Sequence, residues 1–400
     1  MLGKVPASLI YPNILQKDVL KIKAMKIAIS ARMLKSSPDD GISRFTYEVV
    51  KRITVNNPSH QFVLIFDRDF DRSLLFSHNT EGIVLKPPAR NPLLWYYWHE
   101  WRLPDILKKK GCDLFLSPDG IISLRSSIPS IPVIHDINFY HRPKDVPLHI
   151  SLYYRYYFRK FARKAARIIT VSTFSKEDIS SYLGIKNELI DVAYNGVSEY
   201  FTPAVPEEIE KFRKELTGGI PYFLFVGNFS PRKNIPGVIN AYNHFRSSTQ
   251  FDHKLVLTGG RLFLNHETNR LLKKSPFSSD IILTGSMPHE ELRMIYSSAT
   301  ALIFVPWFEG FGIPAAEAMR CGTPVILSDT TSLPEIGGKA ALFVNPGNPM
   351  EISNALIKVI SDDNFRNSMI KKGLIESQKF NWDNCAESVW ESVIKATGSD

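Results

Sequence analysis

Residues 301–329 read ALIFVPWFEGFGIPAAEAMRCGTPVILSD. A short apolar run, a glycine-containing loop, a helical stretch opened by Pro314 and a second apolar run predict strand, helix and parallel strand. Gly310 and Gly312 permit close backbone approach, and Pro314 suits the first position of a helix, where its missing N–H is not needed. The loop therefore aims backbone N–H groups at an anion. Glu309 in the loop and Glu317, expected in the first turn of the helix, are spaced to face one ligand. A carboxylate accepts from two hydroxyls at once, which suits a sugar or ribose diol. The same residues also spell G-x-G-x-x-A, with Asp329 about twenty residues on, as a dinucleotide fingerprint would. Against that reading, the segment lies well inside its domain rather than opening it, and Pro314 occupies the turn.

Working outward, the alternation of apolar runs with helical patterns continues along the chain. It predicts strands at 25–30, 61–66, 113–117, 132–136, 167–172, 222–227, 254–258, 281–284, 301–305 and 324–328. Continuous apolar strands separated by helices indicate parallel sheets covered on both faces. The expected class is α/β, with two doubly wound, Rossmann-like domains facing a central cleft. Asn195-Gly196 followed by Pro203 and Pro206 marks the boundary, giving domains at 25–200 and 201–380. Residues 1–24 carry no sustained period and read as a leader without function.

The chain has 400 residues, 44% of them hydrophobic and 22% charged. That length exceeds one ordinary core, and that composition excludes a disordered or fibrous protein. Cys112, Cys321 and Cys385 form no C-x-x-C pair, which argues against a disulfide framework or structural zinc. The sequence has no stretch long and apolar enough for a membrane span. A cytoplasmic protein is the expectation. The net charge of +9 is uneven: residues 1–200 hold 29 Lys and Arg against 19 Asp and Glu, residues 201–400 hold 20 against 21. The basic half points to an anionic partner there, or to charge that serves solubility.

Further motifs lie at strand ends. Gly227-Asn228-Phe229-Ser230-Pro231-Arg232-Lys233 places two adjacent cations in a strand-to-helix loop, where they can neutralise a diphosphate. His135-Asp136 ends a first-domain strand, and Gly41 offers close approach on the same side. Residues 153–167 hold Arg155, Arg159, Lys160, Arg163, Lys164 and Arg167 without an acid. Helical geometry puts these opposite Tyr154, Tyr157, Phe158, Phe161 and Ala165, so the segment predicts a helix with a basic face toward solvent or anionic lipid. Trp95, Tyr96, Tyr97, Trp98 and Trp101 read first as core, second as an interfacial or acceptor platform. No H-E-x-x-H, G-x-S-x-G or P-loop pattern is present.

Together, EGFGIPAAEAM, CGTPVILSD, SLPEIGG with ALFVNPGNP, VGNFSPRKNI, LTGSMPHEEL, VIHD and ITVSTFSKEDI resemble glycosyltransferase family 4, the glycosyl transferases group 1. The resemblance spans nearly the whole chain from Met25. It implies the two-domain GT-B fold and retaining transfer of a hexose, mannose by similarity to bacterial mannosyltransferases. The donor would be a nucleotide-diphosphate sugar, and the acceptor a saccharide or lipid-linked saccharide of a surface polysaccharide. By position, Glu317 would hold the ribose diol, and Glu309 with the backbone of Gly310, Phe311, Gly312 and Ile313 the sugar and phosphate. Arg232 and Lys233 would neutralise the departing diphosphate, the backbone at Met287 would meet the base, His135 would line the sugar site, and Gly41 would admit the diphosphate. Asn228 stands where other members place an Arg. No metal and no cofactor are implied beyond the donor itself. A final helix, within 381–400, would cross back to the first domain. The resemblance also favours a lipid-phosphate acceptor at the inner membrane face, approached through 153–167, over nucleic acid. Readings from other classes are a nucleotide-sugar epimerase on the same fold, a dinucleotide-dependent oxidoreductase and a non-catalytic sugar-binding scaffold.

Overall fold

The computed structural model describes residues 23–38, 40–89, 91–260 and 266–398. The leader expected at 1–24 lies almost wholly outside them, as does Asp39. In chain order the first half runs β1 (Lys26–Ser30), α1 (Gly41–Asn56), β2 (Gln61–Phe66), β3 (Thr80–Val84), α2 (Pro92–Tyr97), a π-helical turn (Trp98–Arg102), α3 (Leu103–Lys110), β4 (Leu114–Ser117) and β5 (Ser130–Pro132). It continues through α4 (Asn138–His141), α5 (Leu148–Lys164), β6 (Ile168–Thr170), α6 (Thr173–Leu183) and β7 (Ile190–Val192). The strand order is β3-β2-β1-β4-β5, every pair parallel, and β6 joins through the parallel bridge from Val133 to Ile169.

The second half comprises α7 (Pro206–Thr217), β8 (Tyr222–Val226), α8 (Ile235–Ser248), β9 (Lys254–Thr258), α9 (His266–Lys274), β10 (Ile281–Gly285), α10 (His289–Ser297), β11 (Ala301–Phe304) and α11 (Ile313–Arg320). There follow β12 (Val325–Ser328), α12 (Leu333–Gly337), β13 (Leu342–Val344), α13 (Pro349–Ser361), α14 (Asp363–Glu376) and α15 (Trp382–Ala396). Its parallel sheet has the order β10-β9-β8-β11-β12-β13. In both sheets the first two strands after the central one wind to one side and the next ones to the other, the doubly wound pattern. Its ligand crevice opens where the order reverses, between β1 and β4 and between β8 and β11. Central strands such as Tyr222–Val226 are buried throughout, which explains their unbroken apolar runs.

Three strands escaped the sequence reading. β3 contains Glu81 and Gly82 and sits on a half-exposed edge, while β7 and β13 are three residues long. The strand expected at 132–136 stops at Pro132, apart from the bridge at Val133. The basic helix begins five residues earlier than expected and ends at Lys164. Arg167 therefore leaves the basic face and forks onto Asp191 at 2.6 and 2.9 Å. Among the described residues no helix is long and apolar enough to cross a membrane.

The chain passes between the domains twice, and the two passages touch where Val197 N–H donates to the Phe380 carbonyl at 3.0 Å. Gly196 is glycine because a Cβ there would fall onto the backbone and ring of Trp382. Beyond that point α15 packs on α1 and the first sheet. Arg52 donates to Asp383 at 2.6 Å, and Trp390 lies edge-on to His60 at 5.0 Å.

Candidate active site

The second-domain crevice is bounded by the loops that follow β8 and β11. Asn234 ties these loops together. It sits in the left-handed region at φ 57°, caps α8 by accepting from Gly237 N–H, and donates to the carbonyls of Val305 at 3.0 Å and Pro346 at 2.8 Å. Trp307 N–H also donates to the Arg232 carbonyl at 2.7 Å. This stitching brings Arg232 Nη1 and Lys233 Nζ each within 2.6 Å of Glu309 Oε1. Burial would raise the Glu309 carboxyl, but the two cations outweigh it and hold it below the ordinary carboxylate range. Burial pulls the Lys233 ammonium down against the attraction of Glu309, and that ammonium also lies 4.8 Å above the Phe304 ring. Within the triad two cations share one carboxylate, a pairing that a ligand phosphate can enter, while Asp136 acts on both cations and Asp145 on Arg232 from further off.

Glu317 lies in the second turn of α11 rather than the first, because the helix starts at Ile313. It is 6% exposed, and its Oε2 accepts from the Tyr296 hydroxyl at 2.8 Å. Burial pushes its carboxyl up to about 7, against the opposing charge of Arg44 and the Tyr296 hydrogen bond. Gly312 takes φ 99° where the loop enters the helix. Ser332 Oγ bonds the carbonyls of Glu309 and Phe311, each at 3.0 Å, fixing the loop from behind. The Phe311 side chain turns into the core against Phe380, so only its backbone is available to a ligand.

Gly310 meets protein directly. A Cβ there would overlap the His135 carbonyl oxygen of the first domain, so this glycine brings two domains together. Gly312 likewise has no room for a Cβ, because Leu333 fills the space. These contacts disfavour the dinucleotide fingerprint, whose glycines need to face a pyrophosphate. His135 is half-buried, packs edge-on to Phe45 at 5.0 Å, and its Nε2 lies 2.9 Å from the Pro118 carbonyl. A carbonyl only accepts, so Nε2 carries the proton and Nδ1 is bare; burial keeps the ring neutral. A Cβ added at Gly41, the first residue of α1, would lie 3.4 Å from the Ile313 side chain across the cleft.

Glu309, Gly310, Phe311, Gly312, Ile313, Glu317, Arg232, Lys233, His135 and Gly41 thus gather around one cleft. Met287 lies apart, after β10 at the far edge of the second sheet, two strands from the ion triad. Asn228 is exposed and accepts from Ser230 N–H. Trp95 and Trp98 pack inward, while Tyr96, Tyr97 and Trp101 are exposed, so the aromatic run divides between the two expectations.

Sequence reasoning missed the groups that join the domains. Ser172 and Ser175 donate to the Gly310 carbonyl at 2.6 and 3.2 Å. Glu335 on α12 accepts from Thr173 N–H, Phe174 N–H and the Tyr194 hydroxyl, capping α6 from the other domain. The segments ITVSTFSKEDI and SLPEIGG drew notice as motifs, but a spacing within one segment carries no sign of a partner about 140 or more residues away.

Two family models match this chain: glycosyltransferase family 4 over residues 40–199 and glycosyl transferases group 1 over residues 206–374. It is 28% identical over 375 residues to O-antigen chain mannosyltransferase B of Escherichia coli, covering 90% of this chain and 97% of that protein. It is also 28% identical to O-antigen chain mannosyltransferase RfbU of Salmonella typhimurium, covering 68% of this chain and 72% of the relative. In structure it resembles Anabaena Alr3699/HepE, solved in complex with UDP and glucose. The TM-score is 0.72 at 19% identity, covering 92% of this chain and 99% of that one, which supports the GT-B fold.

Proposed function

The chain belongs to glycosyltransferase family 4, the glycosyl transferases group 1, and is a glycosyltransferase; we propose that it transfers mannose, with retention, from a nucleotide-diphosphate sugar to a saccharide or lipid-linked saccharide of a surface polysaccharide. The observation that carries the reading is the Arg232–Lys233–Glu309 triad at the switch point of the second sheet. The mannosyltransferase relatives support the choice of sugar and pathway.

In this reading Arg232 and Lys233 stabilise the departing diphosphate, Glu309 exchanges its cations for hydroxyls of the donor sugar, and Glu317 holds the ribose diol. The loop backbone from Gly310 to Ile313 faces sugar and phosphate, Met287 meets the base, and Gly41 lets α1 approach the diphosphate. The bare Nδ1 of His135 faces the reacting sugar as a neutral acceptor. The acceptor hydroxyl attacks from the leaving-group face and passes its proton to the donor phosphate, so no protein nucleophile is needed. Charge stabilisation in a dry, preorganised site supplies the rate. The two cations take the part a divalent metal plays elsewhere, and no cofactor other than the donor is required.

Peripheral contact with anionic membrane at the cytoplasmic face fits α5. Arg155, Arg159, Lys160, Arg163 and Lys164 are exposed there, beside the exposed Leu148, Leu152 and Tyr156. Tyr96 of α2 adjoins Tyr157 of α5.

A thermal-shift panel of nucleotide sugars tests the reading, followed by NMR of the product anomer. GDP-mannose or another mannosyl donor should stabilise the wild type by mass action, with no effect on Glu317→Ala. An inverted product, or no stabilisation by any nucleotide sugar, would refute it.

A further inference from the structure

Two neighbours at the end of α4, His141 and Arg142, meet two neighbours of the second-domain loop, Phe308 and Trp307. The His141 ring stacks on Phe308 with centres 5.2 Å and planes 23° apart, and the Arg142 guanidinium lies 5.8 Å from the ring centre of Trp307. Arg142 is braced by donating to Asp145 at 2.6 Å. Phe308 is 5% exposed, yet it joins neither of the two apolar cores. Among the described residues the rings upon it are those of His141 and, 5.8 Å away, Phe174, both of the first domain. Its burial therefore depends on the two domains being together.

Helix α6 shows why His141 stays in place. Phe174, Asp178 and Tyr182 recur every four residues, so they share one face of the helix. Phe174 meets Phe308 edge-on, Tyr182 packs edge-on to His141 at 5.3 Å, and between them Asp178 lies 2.8 and 3.0 Å from His141 Nε2. A carboxylate only accepts, so Nε2 carries the proton and donates it. The Asp178 side chain is 14% exposed against 34% for His141, so the ring is anchored from the protein side. The N-terminus of the same helix is fastened to the second domain through Ser172 and Glu335.

Phe308 passes this hold on to the site. Its carbonyl accepts from Arg232 Nη1 at 3.1 Å, and the next residue is Glu309, whose Oε1 accepts from the same nitrogen at 2.6 Å. The Arg232 carbonyl in turn accepts from Trp307 N–H. When Glu309 gives up its cations to a donor, the Phe308 carbonyl is the partner that Arg232 keeps.

We propose that His141, anchored by Asp178, is a positioning residue for the transfer step: by stacking on Phe308 it fixes the carbonyl that orients Arg232, so this cation is set for the departing diphosphate only when the domains meet. This rests on the transferase reading and adds to it a first-domain residue that acts through the second-domain loop.

The test measures release of nucleoside diphosphate by the full-length protein from the nucleotide sugar that stabilises the wild type, with GDP-mannose tried first. His141→Ala should lower kcat about tenfold while KM for the donor stays within about twofold, because the second domain holds the donor. His141→Phe keeps a flat ring and should restore turnover to within about twofold of wild type. Phe308→Leu keeps an apolar side chain without a ring. It should cost as much as His141→Ala, the double variant should cost no more than either alone, and Phe308→Leu gives the same reading where His141→Ala fails to fold. Turnover of either single variant within about twofold of wild type overturns the proposal. So do equal losses in His141→Phe and His141→Ala, a loss confined to KM, or losses that multiply in the double variant. A wild type that releases no diphosphate from any nucleotide sugar, with or without methyl α-mannopyranoside as acceptor, would sink the transferase reading instead, and the positioning role with it.

Discussion

The Ser172 hydroxyl of the first domain donates to the Gly310 carbonyl of the second at 2.6 Å. Because a trans peptide points its N–H opposite to its carbonyl, that bond also sets the direction of the Phe311 N–H. The same hydroxyl caps α6 by accepting from Ser175 N–H. Ser172→Ala should therefore lower stability by about 1 kcal/mol and also reduce transfer. Ser175→Ala removes a bond to the same carbonyl but no cap. It should reduce transfer with little change in denaturant midpoint, and equal stability losses in the two variants would contradict the assignment.

Gly310→Ala forces a methyl against the His135 carbonyl. The domains should be held apart, lowering turnover by about tenfold or more and raising the radius of gyration in X-ray scattering. An unchanged scattering profile would show that the cleft yields elsewhere.

Removing the charge of Glu309 leaves the buried Lys233 and the half-buried Arg232 without the carboxylate they share. Glu309→Gln should lower stability by about 3–5 kcal/mol. The same variant should bind nucleoside diphosphate more tightly than wild type while losing sugar transfer, since the diphosphate then replaces the missing charge. Calorimetric titration that shows weaker binding would argue against competition for these cations.

The raised carboxyl of Glu317 ties stability and affinity to pH in opposite senses. Its folded value of about 7 exceeds its ordinary 4.5, so the folded chain keeps a proton that the unfolded chain releases between those values. Stability should fall across that window by roughly 3 kcal/mol, and Glu317→Gln should abolish the fall. Donor affinity should instead rise as pH climbs through about 7, because ribose hydroxyls donate best to the carboxylate. An affinity flat from pH 6 to pH 8 would remove Glu317 from the diol.

Replacing Arg155, Arg159, Lys160, Arg163 and Lys164 by Gln should abolish sedimentation with anionic vesicles while leaving nucleotide-sugar hydrolysis intact. Binding that persists would assign the charge to solubility. Arg167→Gln should leave vesicle binding unchanged but destabilise the β6–β7 edge, where Arg167 is paired with Asp191.

The second-domain site was legible in sequence because its parts are local. The glycine loop, Pro314, Glu309 and Glu317 all lie on one strand–helix unit, and Arg232 and Lys233 are adjacent. Buried central strands announced themselves by apolar runs, whereas β3 with its Glu81 and Gly82 did not. Glu317 falls one position further into the helix than expected, because the helix starts at Ile313 rather than at Pro314. What the sequence concealed was pairing across the cleft: Ser172 with Gly310, Glu335 with Thr173 and Phe174, His141 with Phe308. Each is an ordinary residue whose meaning comes from a partner brought near by folding.

The return of α15 to the first domain has a temporal consequence. Trp382 and Trp390 pack against Phe45, His60 and Phe62, residues made more than three hundred positions earlier. During synthesis at about 5–20 residues per second, the first domain must wait with that face uncovered until the second has emerged. The half made first is therefore the half completed last, and a ribosome stalled before Trp382 would present a chaperone with an open apolar surface on α1 and β2.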